Sequence, residues 1–162
     1  MKILYNDKKE YVLTSDEGIF LGSLTLEKWS SSKAQITTQF GEFYDIAKIG
    51  FWGTSIGISK SDAEFAELKM NWKGQIVIDM LENGKGMDYL LKMSNLWKSK
   101  YTLLNRDEVE LLILTPDYKW TKGHYDFKIE VNPSFAQNID ETLVLIAAYS
   151  ALYLIMVAAA AS

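Results

Sequence analysis

The sequence predicts a mainly β fold: a closed antiparallel barrel of about 10–12 strands enclosing a hydrophobic C-terminal α-helix. Three observations lead there. Short apolar runs recur between Met1 and Val131, broken by turn residues at the 8–12-residue spacing of antiparallel sheet proteins. Aromatic residues reach 13%, and these bulky, half-apolar side chains favour strands. From Thr142 to Ala161 no residue is charged, so a helix there has no face for water.

The strands follow in order. EYVLT runs into the polar turn Ser15-Asp16-Glu17-Gly18, and IFLGSLTLE follows with Gly22 at a bend or bulge. AQITTQF stops at Gly41, EFYDIAKIGF near Gly53, and TSIGISKS comes next. In FAELKMNW, Ala66, Leu68, Met70 and Trp72 share one face, the period of a strand; DAEFAELKM also admits a short helix. QIVIDML and MDYLLKM flank Asn83-Gly84, a strong hairpin signal. KYTLLN turns at Asn105-Arg106-Asp107 into VELLILT, which Pro116 is expected to stop. YDFKIEV alternates Phe127, Ile129 and Val131 with a wet face of Asp126, Lys128 and Glu130. Asn132-Pro133 ends the strands, and one domain spans 1–162, with strands over 1–131 and a central helix over about 139–161.

Asn138 is the expected N-cap of that helix, with Glu141 completing a capping-box pair. About 20 residues at ~1.5 Å each reach ~30 Å, the thickness of a bilayer core, so a tail anchor displaying a β domain is the alternative to burial. Against a span stand the flanking Asp140 and Glu141, the lack of nearby Lys or Arg, and the absence of a polar anchor beyond Ser162. For burial stand the small residues Ala147, Ala148, Ser150 and Ala151, which let a wall come close. Tyr149 and Tyr153 share a stripe from which their hydroxyls can reach a wall acceptor or an open end.

Many short strands followed by one wholly apolar helix resemble the tubby C-terminal-domain-like superfamily, which includes tubby-like, LURP-one-related and phospholipid scramblase proteins. The stretches that carry the likeness are DEGIFLGSLTLEKW, NLWKSKYTL and DETLVLIAAYSALYLI. The resemblance implies a barrel of about twelve strands around the helix and, in the tubby branch, phosphoinositide binding through basic residues. The scramblase branch's cysteine-rich and calcium-loop features are missing from this sequence.

Composition narrows function. A net charge of −4 speaks against a nucleic-acid partner. There is no cysteine, hence no thiolate chemistry or disulfide framework. The MKILYNDKKE start has too short an apolar run for a secretory signal, so a cytoplasmic protein, peripheral at a membrane if it binds lipid, is expected. His124, the only histidine, reads as a solvated turn residue without metal-ligating partners. Asp79, inside QIVIDML, reads as facing solvent rather than as a catalytic acid. GFWGTSIG and NGKG lack the endings of phosphate loops and read as turns. No nucleophile, base and orienter converge, so no catalytic residue, cofactor or metal is expected.

What remains is a set of lysines beside aromatics: Lys92, Trp97, Lys98, Lys100 and Tyr101, then Lys119, Trp120 and Lys122. If the two hairpins are neighbours, Lys98, Lys100, Lys119 and Lys122 form a cationic patch suited to a phosphoinositide or other anionic lipid headgroup. The bland alternative is ordinary surface lysine with tryptophan sealing the barrel. The expected role is therefore non-catalytic binding or scaffolding, toward an anionic lipid or a protein partner.

Overall fold

A computed structural model describes residues 1–29, 31–50, 55–81, 87–95 and 99–162. Twelve strands are followed by one helix: β1 (Lys2–Tyr5), β2 (Glu10–Thr14), β3 (Phe20–Leu26), β4 (Ala34–Thr38), β5 (Phe43–Ile49), β6 (Ser55–Lys60), β7 (Ala63–Met70), β8 (Ile76–Met80), β9 (Met87–Asn95), β10 (Lys100–Leu104), β11 (Glu110–Lys119), β12 (His124–Val131) and α1 (Glu141–Ala160). Each strand pairs antiparallel with the next, and β1 pairs with β12 to close the barrel.

Alternation sets the wall. Ile3, Leu13, Leu24, Ile36, Ile58, Ile78, Leu103, Leu114 and Phe127 point inward and are almost wholly removed from water. The first half of α1, Thr142 to Leu152, is buried among them. A helix apolar on every side thus finds apolar wall on every side, as the sequence predicts. Tyr149 satisfies its hydroxyl in the β3–β4 connection, where it donates to the Ser32 carbonyl at 2.6 Å. Ser150 Oγ donates back to the Ile146 carbonyl at 2.8 Å. At Gly22 wall and helix come close, since a Cβ there would lie 2.9 Å from Leu145 Cδ1. The β2–β3 ladder skips Leu21 beside it, so the expected bulge is present.

Several elements differ from expectation, each for a local reason. The helix begins at Glu141, and its cap is Asp140 rather than Asn138: Asp140 is extended and its Oδ1 accepts the Thr142 N–H at 2.9 Å. Glu141 then sits one residue past the cap, too early for a capping box, and accepts instead from Gln39 Nε2 at 2.9 Å. DAEFAELKM is strand β7. Ala66 and Leu68 face inward there, but the strand ends at Met70 and Trp72 lies in the following turn.

Pro116 does not stop β11, which continues to Lys119. Past Leu114, β11 has no β10 partner among the described residues, so the N–H that proline lacks breaks no β10–β11 ladder bond. Asp126 is buried rather than wet, and its Oδ1 accepts the Tyr5 N–H at 2.9 Å, tying the end of β1 to β12. The strand that closes the barrel, β1, is the one that periodicity did not single out. The Asn83-Gly84 turn, NGKG and residues 51–54 of GFWGTSIG lie outside the described residues.

Candidate functional site

Antiparallel order has a geometric consequence. Connections that follow odd-numbered strands gather at one rim of the barrel, and those that follow even-numbered strands gather at the other. Among the described residues, the even-rim connections carry Asp16, Glu17, Glu42, Asp62, Asp107, Glu108 and Asp140, with Arg106 as the basic exception. The odd rim receives Lys8, Lys9, Lys28, Lys33, Lys73 and Lys122, with Asp7 and Glu27. Charge of opposite sign is thus sorted to opposite ends, which the net value conceals.

Tryptophan follows lysine. Trp29, Trp72 and Trp120 lie in odd-rim connections, each with a lysine as direct neighbour: Lys28, Lys73 and Lys119. Trp72 is 89% exposed and Trp120 88%, although indole is usually half hidden. Lys73 Nζ lies 5.3 Å from the Trp72 ring centre. Tyr118 stands edge-on to Trp120, centroids 4.9 Å apart. The far end of α1 emerges at this rim, because Tyr153 and Ser150 adjoin Met70 and Ile76, which flank the β7–β8 turn. Beyond the half-buried Tyr153 to Met156, the helix is exposed from Val157 onward.

The four lysines singled out from sequence fare unequally. Lys98 lies outside the described residues. β10 pairs with β11, so the two hairpins are neighbours, and Lys100, Lys119 and Lys122 share the odd rim. Lys119 is bound to the Asp117 carboxylate, which holds its ammonium above the usual lysine range. Lys122 Nζ donates to the Tyr5 carbonyl at 3.1 Å and pins the β11–β12 turn to β1. Lys8, Lys28 and Lys73, which sequence reasoning passed over, are exposed members of the same rim.

His124 is a correction. It opens β12 half-buried, stacked on Tyr5 with centroids 3.8 Å apart and edge-on to Trp29 at 5.0 Å. With Lys9 and Leu26 these rings line a recess of about 190 Å³ at the odd rim. Its Nδ1 has no hydrogen-bond partner among the described residues, and burial lowers its pKa from the ordinary histidine value. A base held neutral by folding loses stability as pH falls, because only the unfolded chain takes up the proton freely. The melting temperature of His124→Phe relative to the parent should therefore rise between pH 7 and pH 5, and a constant difference across that range would refute this account.

Asp79 faces outward on the convex wall, opposite Glu67 on β7 and Asp88 on β9, but it is half-buried and its Oδ1 is shielded from water. Partial burial first, and the neighbouring Asp88 second, raise its pKa. Among the described residues, no group of three His, Asp or Glu side chains could hold a metal ion. No family model, curated protein or solved structure matches this chain.

Proposed function

We propose that this protein is a non-catalytic barrel that docks by its odd rim on an anionic membrane surface, in the manner the tubby-like resemblance implies. One observation carries the reading: exposed Trp72 and Trp120 sit among sorted lysines on the rim where an apolar helix emerges. Indole prefers the headgroup layer, where one part of the ring is dry and its N–H is wet. Lysine near an anionic surface contributes about 1 kcal/mol apiece. The acidic rim then faces bulk water, so the overall charge of −4 does not oppose docking. The barrel wrapped around an apolar helix supports placing the chain in the tubby-like superfamily, and the lysine-rich rim favours a cytoplasmic, peripheral location.

Burial of Thr142 to Leu152 favours surface attachment over a tail anchor, because those residues already serve as core. Co-sedimentation with vesicles tests the reading. The parent should bind vesicles rich in phosphatidylserine or phosphoinositide and leave neutral ones in solution. Replacing Lys8, Lys28 and Lys73 by Gln should weaken partition about a hundredfold, from three contributions of about 1 kcal/mol. Equal partition of variant and parent would end the proposal and leave the exposed tryptophans to a protein partner.

A further inference from the structure

We propose that the last two turns of α1 penetrate the headgroup–acyl boundary of one leaflet while its first three turns remain barrel core. This inference rests on the docking reading above and gives it a depth.

The argument starts from composition. After Glu141 the helix has no charged residue, and its last turn has no basic one. Where a helix leaves a barrel for water, polar residues are expected, yet Met156, Val157 and Ala158 to Ala161 continue the apolar run. The exposed part, Val157 to Ala161, is thus uncharged and apolar, though mostly alanine, and lacks the shelter that the buried part has.

Length decides how far it can go. Eight residues, Tyr153 to Ala160, span ~12 Å, against ~30 Å for a hydrocarbon core. That length fits the ~5–10 Å depth of interfacial helices. Trp72 and Trp120 on the same rim would then lie at headgroup level, one on the β7–β8 turn and one on the β11–β12 turn.

Charge selects the occupant. A second copy of the chain meeting this one tip to tip, about a two-fold axis, would set Lys28, Lys73 and Lys122 of one molecule against the same lysines of the other. An anionic lipid surface reverses that sign. Weak apolar anchors hold stably only with a second, electrostatic signal, and here both sit on one rim.

The absence of cysteine permits a clean probe. Ala159→Cys carries an environment-sensitive fluorophore, and Asp107→Cys, on the opposite rim, serves as control. On phosphatidylserine vesicles the Ala159→Cys probe should shift to the blue and be quenched most by spin labels placed shallowly in the acyl chain. The control should not respond. Val157→Glu, at an exposed position, should hold the same vesicles markedly more weakly than the parent.

A bound protein with an unshifted probe, or a Val157→Glu variant that binds as tightly as the parent, would overturn the penetration and leave docking intact. A probe that shifts without lipid as a dimer forms would overturn it in favour of self-association. Failure to bind any vesicle would overturn both proposals.

Discussion

Deletion of residues 140–162 is expected to leave a chain with no native fold. Val144, Leu145, Ile146, Tyr149 and Leu152 are wholly buried in the barrel. Each fully buried side chain of this size contributes about 1.5–3 kcal/mol, so five contribute about 10 kcal/mol. A typical domain has only about 5–15 kcal/mol of net stability. The inward faces of twelve strands would also lose their partner and enclose a dry void or collapse. Loss of a cooperative melt, strong binding of a hydrophobic dye and aggregation on gel filtration are the expected signs. A soluble monomer that melts cooperatively would contradict the role assigned to the helix.

Gly22→Ala should destabilise by about 1–3 kcal/mol, the usual cost of overpacking a dense interior. In most strands this change is mildly stabilising, because glycine has more unfolded-state freedom to lose. Here the new Cβ would lie 2.8 Å from the Thr37 carbonyl oxygen and 2.9 Å from Leu145 Cδ1. The leucine could rotate away; the carbonyl belongs to the β3–β4 ladder and could not. At about 2–4 °C per kcal/mol for a domain of this size, the melting temperature should fall by several degrees. Leu145→Ala is costly in its own right, but in that background the added cost of Gly22→Ala should shrink without vanishing, since the backbone clash stays. An unchanged or raised melting temperature would show that helix and wall are less tightly apposed.

Most of the fold was legible from residue order. EYVLT is β2 to the residue, and YDFKIEV places Phe127 and Ile129 inward as alternation requires. The errors cluster where tertiary context outvotes local chemistry. Four residues, Lys2–Tyr5, carry too little periodicity to announce a strand, yet they close the barrel. Pro116 reads as a stop only if both edges of its strand are occupied. Asp126 reads as wet until β1 arrives with an N–H to receive. The rim was illegible for a different reason. Trp29, Trp72 and Trp120 are more than forty residues apart from one another, and only strand direction puts them at one end. The neighbouring lysine in Lys28-Trp29, Trp72-Lys73 and Lys119-Trp120 is the clue that residue order offers.

The seam between β1 and β12 joins Ile3 to Phe127, and the segment that fills the interior comes later still. A ribosome making this chain would release nearly every wall segment before the plug. Until then the nascent sheet holds its greasy concave side open, with long-range pairing that is slow to complete. Protection by a holding chaperone during synthesis follows from that order of emergence.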